Sequence, residues 1–224
     1  MRGILMHPGI IMPKRVTPVA ITDYGVASSG SNLATYTFAP SAFGSPTLAA
    51  GKLAVVVFGV RDIDAANAVS SITESGNALS LVKAQDDGGT GRYACETWQL
   101  NGRAGAALGN IVVTWANTNT LMYVTPYLVE NAADAASATA SDTGANPSAS
   151  LAIPTNGGAI GVVGTDSTPS AFAWSNMTED VEDATQGVRF GAASFTTGGA
   201  ATRSVTMTGT PSSAALALAS WAAA

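Results

Sequence analysis

Cysteine, histidine and charged residues are all scarce in this chain of 224 residues. One cysteine, Cys95, excludes an intramolecular disulfide and any metal site built from several cysteines, and one histidine, His7, leaves little for metal or acid–base chemistry. Only 11% of the residues are charged, against about 25% in an average soluble domain. The ten Lys and Arg form no cluster and the net charge is -5, so we expect no nucleic-acid partner.

Long apolar runs are also missing from the sequence. Nowhere do about 20 apolar residues follow one another, so we predict no membrane-spanning segment. The apolar start of the chain is interrupted by His7, Pro8 and Pro13 and has no small-residue cleavage site, so we do not interpret it as a secretion signal. A hydrophobic content of 46% nevertheless predicts a folded chain, because such a sequence collapses rather than remaining solvated.

Short alternating segments rich in β-branched residues run along the whole chain, and turn residues such as Asn101-Gly102 separate them. The pattern predicts strands at 16–24, 32–38, 53–60, 78–84, 92–100, 111–115, 121–129, 149–153, 159–165, 171–177, 188–195, 204–208 and 214–221. We therefore expect an all-β fold, a jelly-roll-like antiparallel β-sandwich of two sheets and roughly a dozen strands. It would occupy residues 16–224 as a single domain, with an extended N-terminal arm.

The order of these segments repeats along the chain. Residues 51–59 and 157–164 are Val-rich and begin with Gly, and each is followed by an acidic polar stretch, an aromatic strand, a Val/Thr strand and an apolar closing strand. All sandwich strands look alike, which is one explanation. The other is a pseudo-repeat with halves 51–131 and 157–224 that together build one two-sheet sandwich. The segment 131–147 is then a small-residue connection.

Residues 1–15 are predicted to form an arm that docks on a neighbouring protein. Their Ile, Leu and Met side chains stand among Pro and Gly and have no self-contained way to become buried. Such a segment binds another chain's surface, much as a peptide extends a sheet. The predicted partner-docking residues are Ile4, Leu5, Met6, Ile10, Ile11 and Met12.

A second candidate site combines acidic pairs with one tryptophan. Paired carboxylates bind Ca²⁺ together with backbone carbonyls, although these pairs match no calcium motif and solvated loops are the alternative. Trp98, Trp115 and Trp221 stand beside aliphatic residues and are predicted to be core. Trp174 borders a polar loop and is considered for sugar stacking, although a core position is favoured for it as well. The candidate glycan or calcium loop is Asp86, Asp87, Trp174, Glu179 and Asp180.

The sequence offers no convincing catalytic constellation. Cys95 lies in mid-strand without a neighbouring base, which favours a small packed side chain over a reactive thiol. His7 lies in a terminal arm, a poor platform for catalysis. A glycosidase needs two opposed carboxylates, and no spacing favours a pair among Glu74, Glu96 and Glu130. We therefore predict no enzymatic activity, no metal and no cofactor.

Four segments resemble strands of a known group of proteins: GKLAVVVFGV at 51–60, YACETWQL at 93–100, NIVVTW at 110–115 and SSAALALASW at 212–221. They look like the jelly-roll structural proteins of tailed phages and related particles, which include decoration, head-fibre and tail-associated modules. The resemblance covers residues 50–224. It implies a virion component that has no catalytic residues and whose partners are other virion proteins of the capsid, portal or tail.

We expect a non-enzymatic virion structural protein, a capsid decoration or minor capsid component that docks through its arm as a homo-oligomer. The lack of a long fibrous segment disfavours a fibre. A surface rich in Ala, Ser, Thr and Gly suits a lattice, because these side chains lose little rotamer entropy when copies pack together. The alternative is a carbohydrate-binding module that attaches to a glycan or a host surface.

Overall fold

A computed structural model gives the fold and describes residues 15–61, 68–87, 92–165, 171–185, 187–208 and 213–224. These residues form antiparallel sheets joined by turns, with a single turn of 3-10 helix at Pro40–Phe43. The predicted all-β, antiparallel class is confirmed. No helix in the described ranges is long and apolar enough to cross a membrane.

The described residues form twenty strands. Those of the first half are β1 (Ala20–Asp23), β2 (Ala27–Ser29), β3 (Leu33–Phe38), β4 (Thr47–Leu48), β5 (Gly51–Val60), β6 (Val69–Glu74), β7 (Asn77–Ala78), β8 (Ser80–Asp86), β9 (Tyr93–Arg103), β10 (Ala106–Ala107), β11 (Ile111–Asn119) and β12 (Leu121–Glu130). Those of the second half are β13 (Ala138–Gly144), β14 (Ser148–Ile153), β15 (Gly158–Thr165), β16 (Ala173–Trp174), β17 (Thr178–Thr185), β18 (Val188–Thr196), β19 (Ala201–Thr208) and β20 (Ala214–Trp221).

Each half contains an inner and an outer sheet. The inner sheet of the first half has the order β1-β12-β5-β9-β8, with β2 also paired to β12, and its outer sheet has the order β3-β11-β6-β7. In the second half the inner order is β13-β20-β15-β18-β17 and the outer order is β14-β19-β16. The same pairing scheme therefore occurs twice in sequence order. A short ribbon of β4 and β10 lies outside this scheme.

Three hydrophobic cores lie between the four main sheets. One fills the first half around Trp115, and another fills the second half around Leu216. The middle core joins the two inner sheets, where the rings of Tyr123 and Phe190 stack with centroids 5.2 Å apart and Phe58 packs against both. Since the inner sheets are covered on both faces, their central strands are mostly apolar.

The number of sheets and strands differs from the sequence prediction. Instead of about a dozen strands in two sheets, the described residues form twenty strands in five sheets. The missed strands include β6, β13 and β17, which are polar or made of small residues and give no clear apolar alternation. Strand β13 lies inside the segment that we predicted to be a simple connection. With these strands, each half has two sheets of its own.

We call the end of the molecule at which β5 and β15 begin the base. The described chain begins near the base, where the amide of Val19 donates to the carbonyl of Asn156 at 2.8 Å. The described chain also ends at the base, where the amide of Ala224 donates to the carbonyl of Asn131 at 2.8 Å. The Asn131 side chain in turn donates to the carbonyl of Pro18 at 3.2 Å. Both ends of the described chain thus meet at Asn131.

Candidate functional site

The six predicted docking residues, 4–6 and 10–12, lie outside the described residues. What the structure describes is the segment to which they are attached. Residues 15–18 are exposed, and Val19, only 3% exposed, is the first buried position. Val19 and Ile21 cover Gly158, where a Cβ atom would lie 2.8 Å from either side chain. The arm is therefore joined to a segment, around Val19 and Ile21, that is firmly packed at the base.

A buried lysine is the most unusual polar feature of the base. The Lys52 ammonium, on β5, lies within hydrogen-bonding distance of Gln99 Oε1 (3.3 Å), Asn101 Oδ1 (2.7 Å) and the carbonyls of Ala133 (2.8 Å) and Asp134 (2.6 Å). Lys52 is 3% exposed, and burial lowers its pKa to about 8. The group is therefore still mainly charged at neutral pH, and the four oxygens compensate for its lost hydration.

This lysine cage connects distant parts of the chain. Gln99 accepts a hydrogen bond from the Trp221 indole at 2.9 Å and donates to the Asp134 carbonyl at 2.9 Å. The Lys52 ammonium also lies 5.8 Å from the centre of the Trp221 ring. The first half, the connection and the last strand are thus joined at one point. Sequence reasoning missed the cage, and the available signal was a lysine opening an otherwise apolar strand.

A cavity of about 350 Å³ lies beside the lysine cage. Glu74 forms an ion pair with Arg103 at 3.2 Å across it, and both side chains are under 10% exposed. Glu74 also accepts the amide of Gly109 at 2.7 Å, while Arg103 donates to the carbonyl of Ala107 at 2.7 Å. The cavity is lined by Glu74, Ser75, Asn77, Leu100, Asn101, Gly102, Arg103, Ala104, Ala106 and Ala107.

The candidate glycan or calcium loop is spread over different elements. Asp86 and Asp87 lie at the end of β8 in the first half, whereas Trp174 lies on β16 in the second half's outer sheet. Glu179 and Asp180 lie on β17, the edge of that half's inner sheet. Within the described part of the chain, no group of three or more His, Cys, Asp or Glu could hold a metal ion.

The tryptophans divide much as the sequence suggested. Trp98, Trp115 and Trp221 are buried, at 7%, 2% and 0% exposure. Trp174 is half-buried and packs against the core of the second half. Its indole N–H is enclosed and has no hydrogen-bond partner among the described residues. Trp174 is therefore partly packed into the second half, and its enclosed indole N–H is not available to donate to a sugar.

Asp180 accepts a hydrogen bond that joins the two halves. Its Oδ2 accepts a hydrogen bond from the buried Tyr127 hydroxyl at 3.1 Å, and its Oδ1 accepts one from Ser194 at 3.1 Å. Burial raises the pKa of Asp180, with a smaller rise from the charge of Asp23, while the two hydrogen bonds oppose that rise. A register shift in β17 between Glu179 and Val181 turns Asp180 toward the middle core.

Strand β17 carries four carboxylates along one sheet edge: Glu179, Asp180, Glu182 and Asp183. Glu182 pairs with Arg189 and accepts the amide of Phe172 at 2.8 Å. Glu179 is exposed, and its pKa is raised by partial burial and then by the nearby charge of Glu182. No strand in the described ranges pairs with the outer side of β17.

The residues weighed for catalysis are mostly enclosed. Glu96 is 1% exposed and accepts the amide of Val69 at 2.8 Å and the indole of Trp98 at 2.7 Å, and burial raises its pKa. The Cys95 thiol contacts the carbonyl of Ala215 at 3.3 Å, and burial raises its pKa well above the usual range. Cys95 is therefore a small packed side chain. Glu130 ends β12, and His7 lies outside the described residues.

The outer faces of the two outer sheets are rich in hydroxyl and small side chains, with Leu33 and Val112 as apolar exceptions. In the first half, Thr35 on β3 contacts Thr114 on β11, with 3.4 Å between their hydroxyl oxygens. In the second half, the hydroxyls of Ser148 and Thr206 lie 2.7 Å apart. The outward positions of these strands include Thr35, Thr37, Ser71, Thr73, Thr114, Ser148, Ser150, Thr202, Ser204, Thr206 and Thr208.

No protein-family model, curated protein or solved structure matches this chain. The resemblance to phage structural proteins is thus an expectation from the sequence. The functional proposal depends on the geometry of the described residues.

Proposed function

We propose that the protein is a non-enzymatic structural component of a virion, a capsid decoration or minor capsid protein. It docks through its N-terminal arm on other virion proteins of the capsid, portal or tail, and it assembles as a homo-oligomer. The observation that carries this proposal is the pair of outer faces rich in Ser and Thr. Such faces pack against neighbours at little cost in side-chain entropy or charge desolvation.

We further infer that each half is a jelly roll. In the second half, β13-β20-β15-β18 form one sheet and β14-β19-β16 the other, so the first strand pairs with the last and the second with the last but one. The first half follows the same scheme. This nested pairing is typical of jelly-roll sandwiches, which recur in capsid proteins.

The anchor of the arm also supports the proposal. Val19 is held by Asn156 and packs on Gly158, so the segment that follows residues 1–15 is fixed to the body of the protein. An arm on a rigid body suits docking, because the body keeps its fold whether or not the arm is bound.

Deleting residues 1–15 tests this role. Full-length and shortened chains are produced where the particles assemble, and the particles are purified by density gradient. We expect the shortened chain to remain folded, with an unchanged melting temperature, and to be lost from the particles. Equal occupancy of both chains on particles would contradict docking through the arm.

The cavity next to Arg103 is the observation that favours a second candidate, carbohydrate binding. Its lining brings a carboxylate, a guanidinium and the carboxamides of Asn77 and Asn101 around a space with apolar contact from Leu100. A small number of polar groups in a space of this size is typical of ligand sites. The glycan site would then lie at the base rather than near Trp174.

A glycan array with and without Ca²⁺ tests this second candidate. We expect any binding to be independent of Ca²⁺ and to fall at least about tenfold in the Asn77→Ala variant, which removes one polar group from the cavity. The exposed Asn117→Ala, on β11, is the matched control and should bind as the wild type does. Absence of binding at millimolar ligand would exclude the glycan function.

A further inference from the structure

We propose that residues 1–15 of one copy bind along the acidic edge strand β17 of a neighbouring copy. The inference rests on the proposed function, in which the protein docks through its arm and assembles as a homo-oligomer, and it names the surface that receives the arm. The partner is thus a second copy of this chain, and the contact joins two different surfaces, head to tail. Contacts of this kind close into rings or extend a lattice.

The first observation is the sheet edge itself. Strand β17 is the last strand of its sheet, and its backbone pairs only with β18 among the described strands. An open edge presents backbone N–H and C=O groups to which an extended peptide can add. The strand is eight residues long, which is about 26 Å. An arm of 15 residues spans up to about 50 Å, so it is long enough to follow the whole edge.

The second observation is complementary charge. Residues 131–224 hold two basic and seven acidic residues, so the whole net charge of -5 belongs to the second half. Four of these seven acids are on β17, where the facing strand supplies Arg189. The arm carries Arg2, Lys14 and Arg15, and no acidic residue precedes Asp23. Opposite charges steer such a contact and set its orientation.

The third observation concerns which acids remain for a partner. Asp180 is engaged by Tyr127 and Ser194, and Glu182 pairs with Arg189. Glu179 is exposed at the end of β17 nearest the base. It is therefore the position at which a reversed charge would affect a docked arm with little effect on the fold.

Charge reversal in two separate chains tests the contact. One variant reverses the arm (Lys14→Glu with Arg15→Glu), the other reverses the edge (Glu179→Lys), and sedimentation velocity measures self-association of the full chain. We expect each variant alone to associate at least about tenfold more weakly than the wild type. An equimolar mixture should recover wild-type affinity within about threefold, because both contacts between unlike copies are then complementary.

Asp86→Lys is the matched control, because it reverses an exposed acid on the edge strand β8 of the other half. It should associate as the wild type does. A mixture that gains nothing over the single variants would mean that the arm binds its own chain, and unaffected single variants or an equally weakened control would mean that β17 is not the docking edge. Each of these results overturns the inference. Docking of the arm on particles is measured separately, so either proposal can fail alone.

Discussion

Lys52 is a charged residue in the interior of the base, where it is 3% exposed. Its hydrogen-bond acceptors come from two segments far apart in sequence, around Gln99 and around Asp134, and the nearby Trp221 comes from a third. Hydrophobic alternation predicts which residues of a strand face inward, but it does not predict which distant carbonyls will satisfy a buried ammonium. The lysine cage could therefore be recognised only from the folded structure and not from the sequence.

At the same scale, the Asp180→Asn variant should make the protein more stable at pH 7. An acid whose pKa is raised in the folded state binds its proton more tightly when folded, so its charge lowers the free energy of unfolding above that pKa. Asparagine removes the charge, while its oxygen can accept from Ser194 and its amide can donate to the Tyr127 hydroxyl oxygen.

Urea denaturation of the variant and the wild type, at pH 7 and at about pH 4, measures this effect. The gain in the free energy of unfolding should shrink at the lower pH, because Asp180 becomes protonated in the wild type as the pH falls through its raised pKa. A difference that stays constant between the two pH values would refute a charge effect at Asp180.

Elements with strong apolar patterns were predictable, and polar elements were not. Strands β12 and β20 are buried along nearly their whole length, and their apolar runs predicted them. Strand β17 has the sequence TEDVEDAT, which is typical of a solvated loop. It forms a strand because β18 offers it a backbone partner and because Val181 joins the middle core. Tertiary context thus decides where propensity is weak.

The contact between the two inner sheets depends on the absence of a side chain at Gly164 on β15. A Cβ atom there would lie 2.3 Å from the ring of Phe58, which is itself packed on Tyr123 and Phe190. We expect Gly164→Ala to lower the free energy of unfolding by about 2 kcal/mol through overpacking.

Chemical denaturation compares Gly164→Ala with a matched control, Gly198→Ala, whose new methyl group meets no atom within 4 Å. The control should change the free energy of unfolding by less than about 0.5 kcal/mol. Equal effects at the two positions would contradict close packing of the two inner sheets at Gly164.

The whole molecule is a repeated unit that shares a core. Its two halves have the same strand pairing, and Phe58, Tyr123 and Phe190 connect the inner sheets. Repeated patterns in the sequence hinted at this duplication, but the missed polar strands concealed that each half has two sheets of its own. The predicted glycan or calcium loop was dispersed for a similar reason, since proximity between loops depends on how the four main sheets stack.

The stacking of the four main sheets leaves the outer faces of the outer sheets and the base available for contacts with other molecules. The outer faces present hydroxyl side chains such as Thr35 and Ser148, and the base presents the anchor of the arm at Val19. The outward positions named on the two outer sheets are all Ser or Thr and carry no charge. The proposed assembly role uses these features together.

Incorporation into particles is the property that the proposed function requires most directly. Quantitative mass spectrometry of gradient-purified particles measures how many copies of the chain each particle contains. We predict several full-length copies per particle, in a number set by the symmetry of the structure on which they dock, and none of the chain that lacks residues 1–15. Particles that contain no copies, while the full-length chain is abundant and folded in the same lysate, would contradict a structural role in the virion.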